Sequence, residues 1–116
     1  MFPQKRRIKK DLFPLLTKGG LFLKSPQLSL RSVKQKNPNS PSLFAVVVSN
    51  KVSKLATERN FLKRRTRALL CSLLKKIKNG YYLVFYVNDR SLGQTKTEEL
   101  KKQIEYLLTK SKTINV

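Results

Sequence analysis

The chain has no histidine, no tryptophan, one cysteine and only six acidic residues in 116. Without histidine there is no imidazole to act as a general base, to ligate a metal or to activate Cys71, and a lone cysteine cannot form an internal disulfide. Six scattered carboxylates are poor material for fixing the metal ions that protein-based phosphoryl cleavage needs. No apolar run approaches the roughly 20 residues of a spanning helix. The apolar cluster at 12–16 is short and broken by Pro14, unlike a secretory leader. The expectation is a cytoplasmic protein with no membrane partner. A glycine-rich phosphate loop is missing as well, because Lys18-Gly19-Gly20 lacks the required spacing.

What is abundant is positive charge. Twenty-six Lys and Arg give a formal charge of +20, a self-repulsion that a bound polyanion would relieve. A hydrophobic content of 40% with periodic segments argues for a folded chain over a disordered one. The length suits one domain over 1–116, with a mobile basic arm at 1–8 and a flexible tail at 112–116. From Leu12 to Asn88 the one acid is Glu58, while Asp89, Glu98, Glu99 and Glu105 gather toward the end. The C-terminal element is therefore the least committed to phosphate.

Asp11 is placed to cap a short helix running to about Lys18, with Pro14 tolerated in the first turn and Gly19-Gly20 as the exit. Leu21 to Lys24 reads as a short strand. Leu28, Leu30 and Ser32 then alternate with Ser29, Arg31 and Val33 as in a half-exposed strand. Segment 35–42 carries two prolines, two asparagines and no apolar residue, and reads as a loop separating two hairpin strands. The continuous apolar runs Leu43 to Val48 and Tyr82 to Val87 predict central strands covered on both faces.

Between those runs the spacing predicts a helix from about Thr57 to Lys78. Leu62, Thr66, Leu69, Leu70, Leu73 and Ile77 share its apolar face, Asn60, Arg64, Arg67, Lys75 and Lys78 lie opposite, and Lys63, Arg65 and Lys76 fall at the borders. A last helix, Thr97 to Lys110, packs Leu100, Ile104, Leu107 and Leu108, with Glu98 and Glu99 at the positive end of its dipole. The sum is a small α+β sandwich, helices on a mixed sheet.

Lys51, Lys54, Arg59, Lys63, Arg64, Arg65 and Arg67 crowd into seventeen residues with Glu58 as the only acid, so i,i+4 ion pairs do not account for them. Phosphate does. Glu58 itself, alone at a helix start, suits the helix dipole better than a metal. Arg59 falls on the apolar side in the first turn and must point past the end of the core. There, with Asn60 and free backbone N–H groups, it makes an anion-seeking corner. Phe61 lies on the outer side, where a lone exposed aromatic is commonplace and one flanked by arginines can also stack on an unpaired base.

The order Val52-Ser53-Lys54 followed by Arg59-Asn60 resembles the signature of the protein subunit of bacterial ribonuclease P, with Phe61 standing where a second arginine is usual. Arg7 to Leu12 is similar to that family's basic lead into its first helix, Lys18-Gly19 to that helix's exit, and Tyr81 to Val87 and Lys96 to Lys110 to its closing strand and helix. The resemblance implies an α-β-β-β-α-β-α order with a mixed central sheet and a left-handed βαβ crossover, against the general rule of handedness. It implies a subunit that binds the catalytic RNA of ribonuclease P and the 5′ leader of precursor tRNA, with Mg2+ held mainly by the RNA and the chemistry carried by the RNA. Lys51, Lys54, Arg59, Asn60, Lys63, Arg64 and Arg67 would meet that RNA. A cleft between first helix and sheet would hold the leader. Leu12 and Leu16 stand there in place of the family's two phenylalanines, so that leader affinity would be weaker or other aromatics such as Phe13, Phe22 or Tyr86 would supply it. The alternatives are a noncatalytic RNA-binding protein of another class, such as a ribosomal protein or RNA chaperone, and a free-standing nuclease, for which the carboxylate clusters are missing.

Overall fold

The computed structural model describes residues 6–9 and 20–114. The helix expected at 11–18, with Leu12 and Leu16, lies outside the described residues. Four strands, β1 (Leu21–Lys24), β2 (Leu28–Lys34), β3 (Leu43–Val47) and β4 (Tyr81–Val87), form one sheet in the order β1-β2-β4-β3. The pairing is antiparallel except between β3 and β4, which run parallel and are joined through α1 (Ala56–Leu73). A second helix, α2 (Thr97–Lys110), closes the chain after a short 3-10 helix at Arg90–Gln94.

Register divides the sheet into two unlike faces. Leu30 sits opposite Phe85, and Phe44 and Val46 align with Leu83 and Phe85, so that the large residues of three strands share one side. On that side α1 lies against β3 and α2 against β1 and β2. From α1 come Leu62, Leu70 and Leu73, and from α2 Leu100, Ile104, Leu107 and Leu108, all buried. Each such side chain contributes about 1.5 to 3 kcal/mol of burial. Thr66 shares the buried stripe because its hydroxyl donates to the Leu62 carbonyl at 2.9 Å, leaving no polar group unpaired. The other face carries Val33, Leu43, Ala45, Val47, Tyr82, Val84 and Tyr86, with Ile8 packed among them.

Three local expectations need correction. The loop at 35–42 does not connect hairpin partners, because β4 inserts between β2 and β3. The run beginning at Leu43 is not a central strand: β3 is the sheet's last strand on that side, alternating between buried and half-buried residues. Its continuous hydrophobicity is explained instead by the two apolar clusters, one on each face, and by Arg7, which bridges to Phe44 while the Ile8 amide donates to the Phe44 carbonyl at 2.8 Å. The long helix also stops at Leu73, passes through a 3-10 turn at Leu74–Lys76, and becomes extended at Ile77. There the Lys78 amide donates to the Thr113 carbonyl at 2.7 Å and Ile77 bridges to Ile114, so pairing with the chain's end replaces a last helical turn.

Gly80 enters β4 with a φ of +93°, and a Cβ there would lie 2.8 Å from the Pro38 carbonyl oxygen. Only glycine fits that turn.

Candidate nucleic-acid interface

The connection from β3 into α1 is organised by Ser53, which is buried. Its hydroxyl accepts from the Leu55 amide at 3.3 Å, and its carbonyl accepts from Arg59 Nη1 at 3.0 Å. Arg59 thus folds back across the loop instead of reaching freely past the helix end. One guanidinium nitrogen is held by the backbone, and the side chain lines a hollow with Asn50, Lys51 and Lys54. Three cations converge there, with no acid in the lining. Asn60 is exposed beside them.

Farther along α1 the basic residues part to two sides. Lys63 and Arg67 are half-buried and line a pocket with Arg7 and the β3 edge, floored by Phe44, Val46 and Leu70. Burial, and then the nearby charge of Arg7, lowers the Arg67 pKa from its ordinary value. A site that disfavours its own cation in this way gains from an incoming anion. Arg64 is exposed on the outer ridge. Arg65 does something else: its guanidinium donates to the Leu92 carbonyl at 2.6 Å and to the Thr95 carbonyl, tying α1 to the 3-10 helix. It belongs to the scaffold, although its density with the other cations suggested a shared role.

On the outward face of the sheet, Phe22 and Tyr86 stand with ring centroids 6.1 Å apart, and the Arg31 guanidinium lies 5.0 Å from the Phe22 centroid. A groove runs past them over Ser29, Val47 and Asn88 to Ser49 and Val52. It ends where the basic hollow begins, since Asn50 and Lys51 are the residues between. Sequence reasoning selected Phe22 and Tyr86 but missed Arg31, Arg7 and Ser53. The alternation of β2 placed Arg31 on the outer face, which was the available signal, whereas no local pattern tells that Arg7 reaches β3.

The carboxylates here are engaged. Glu58 pairs with Arg90 at 3.3 Å, the one ion pair among the described residues. The Ser53 hydroxyl beside it, and then Arg90, hold its carboxyl below the usual range against the opposing effect of burial. Asp89 accepts from the Ser91 amide at 2.9 Å, a hydrogen bond that lowers its pKa likewise. Among the described residues there is no group of three or more His, Cys, Asp or Glu side chains that could hold a metal ion. No helix among them is long and apolar enough to cross a membrane.

Fold and surface together define a class of protein: a small α+β domain with an ordinary core and an outer surface on which cations far outnumber carboxylates. A family model described as Ribonuclease P matches residues 2–112. The ribonuclease P protein component of Synechococcus elongatus is 36% identical over 108 residues, covering 91% of this chain and 88% of that protein. That of a Pseudanabaena species is 31% identical over 117 residues, covering 99% and 98%. The chain belongs to the ribonuclease P protein family. It is an accessory protein subunit of that tRNA-processing enzyme. Its fold is shared with the ribonuclease P proteins of Staphylococcus aureus (TM-score 0.78, 22% identity, covering 95% of this chain and 98% of that one) and Thermotoga maritima (TM-score 0.76, 23% identity, 90% and 96%).

Proposed function

We propose that the loop and outer side of α1, through Lys51, Lys54, Arg59, Asn60, Lys63, Arg64 and Arg67, bind the catalytic RNA of ribonuclease P, and that the groove beside Phe22 and Tyr86 receives the 5′ leader of precursor tRNA. The observation that carries this reading is the single ion pair among the described residues. Glu58, the one acid between Asn50 and Arg67, is already matched to Arg90, so no described carboxylate is left for the interface cations within that stretch. Phosphates complete them. The groove and the basic hollow adjoin, which suits a substrate strand passing from the sheet toward the RNA subunit. Phe22 offers a ring for stacking and Arg31 a charge beside it. Leu12 and Leu16, in the segment preceding β1, would add apolar area without a ring face.

With no donor set for a metal among the described side chains, Mg2+ and the hydrolytic chemistry are assigned to the RNA subunit, and the protein's part is to bind and position. Its place of work is the cytoplasm, where precursor tRNA is made. The deciding experiment is cleavage of a precursor tRNA at low Mg2+ by this organism's ribonuclease P RNA, with and without the protein. Protein-dependent cut at the mature 5′ end, absent without the RNA, is the expected result. Tight RNA binding with no stimulation would favour the general RNA-binding alternative.

A further inference from the structure

Phe61 is 45% exposed in the first half of α1, amid charged neighbours that make a protein-docking patch a poor explanation. Its ring is nevertheless held in place. Gly93 of the 3-10 helix approaches so closely that a Cβ there would lie 3.2 Å from Phe61 Cε2 and 3.3 Å from Leu62 Cδ2. The ring stands as a partition between two hollows. One is lined by Glu58, Leu62, Arg90, Ser91, Gly93 and Gln94 and contains the paired carboxylate; the other is lined by Phe61, Arg64 and Arg65 alone.

In the second hollow, Arg65 is fixed by its two carbonyl acceptors, so its guanidinium forms a stationary wall. Arg64, three residues from Phe61 and exposed, is free to meet a phosphate. Among the described residues, the rings of Phe22, Phe44 and Tyr106 each carry a cation over one face, and the ring of Phe61 carries none. An open aromatic face, a rigid guanidinium wall and an unpaired arginine together suit a nucleotide: a flat π-surface for its base and a charge for its phosphate.

We propose that this notch binds one unpaired nucleobase of the partner RNA, stacked on Phe61 with its phosphate at Arg64. The proposal rests on the reading that the outer side of α1 meets RNA. Stacking and phosphate contact differ in salt dependence, because only the latter releases counterions. The test is equilibrium binding of the full chain to this organism's ribonuclease P RNA over a salt series, for wild type, Phe61→Leu, Phe61→Tyr and Arg64→Glu. Stacking predicts that Phe61→Leu weakens binding by about 5- to 150-fold with the log–log salt slope unchanged, and that Phe61→Tyr retains wild-type affinity. Wild-type affinity in Phe61→Leu, or a reduced slope in it, overturns the proposal. So does an equal loss in Phe61→Tyr, which would mark a packing role against Gly93. Arg64→Glu separates the two levels: if it lowers affinity and slope while Phe61→Leu does nothing, the RNA surface stands and the base site falls. No effect from either would sink the surface reading itself.

Discussion

The two helices cover the same face of the same sheet, yet their outer sides have diverged. α1 carries five cations against Glu58 alone, while α2 carries Lys101, Lys102 and Lys110 against Glu98, Glu99 and Glu105. Inward, both present the same kind of leucine-rich stripe to β2, β3 and β4. The difference separates what folds the domain from what the domain shows to solvent: the core stripes are alike in kind, and the outer charges are not.

The comparison breaks first at the core. Leu70→Ala in α1 and Leu107→Ala in α2 remove side chains that are fully buried and should each cost about 2 to 5 kcal/mol of stability by chemical denaturation. Similar losses are expected, since the helices are equal as packing elements; a much smaller loss in one would show that it is peripheral. The outer sides should then differ. Reversing Lys63 and Arg64 to Glu should weaken RNA binding by about 1.5 to 3 kcal/mol per lost charged contact and lower the salt slope by about 0.7 to 0.9 for each. Reversing Lys101 and Lys102, exposed on α2, should leave that slope in place. A matching drop from the α2 pair would mean that binding reads net charge and not the ridge.

The smallest effect sharpens the contrast by pH. Glu58 and Asp89 have carboxyl groups held below their ordinary values of 4.5 and 3.8. Their stabilising contribution is complete above the unfolded-state values and is lost as pH falls through the lowered folded ones. Thermal midpoints should therefore decline below about pH 4.5, with Glu58→Gln blunting part of the decline. An identical acid profile in that variant would remove the Glu58–Arg90 pair from the account.

The strands at Leu21–Lys24 and Leu28–Lys34, the last helix and the body of the long helix were legible because period is local, whereas the long helix's exit at Leu73 was not. α2 spans the Thr97 to Lys110 that its leucine spacing and leading acids place, although Lys96, which has no capping side-chain hydrogen bond, is its N-cap, and the apolar phase of α1 matches its buried residues Leu62, Thr66, Leu70 and Leu73. Strand order was not legible from hydrophobicity, since β3 and β4 are equally apolar while only β4 is central. Two-sided burial of β3 came from Ile8 and its neighbours, a contact of long sequence separation. The crowding of cations was readable from the sequence, but not which of them the fold ties down. Arg65 and Arg59 differ from Arg64 by what their donors find nearby: the carbonyls of Leu92, in the 3-10 helix, and of Thr95 just after it for Arg65, and the Ser53 carbonyl of the loop for Arg59. Such partners appear only once the chain is folded.

The central position of β4 also governs how the molecule is born. β1 can pair with β2 as a hairpin, but β3 has no strand partner until residues 81–87 leave the ribosome. At about 5 to 20 residues per second, the gap after Val47 lasts some seconds. During that time an apolar strand, Leu43–Val47, and the whole basic helix are in solution without a sheet to close on. The last strand made is the keystone, so a nascent chain of this protein is sticky and polycationic before it is folded.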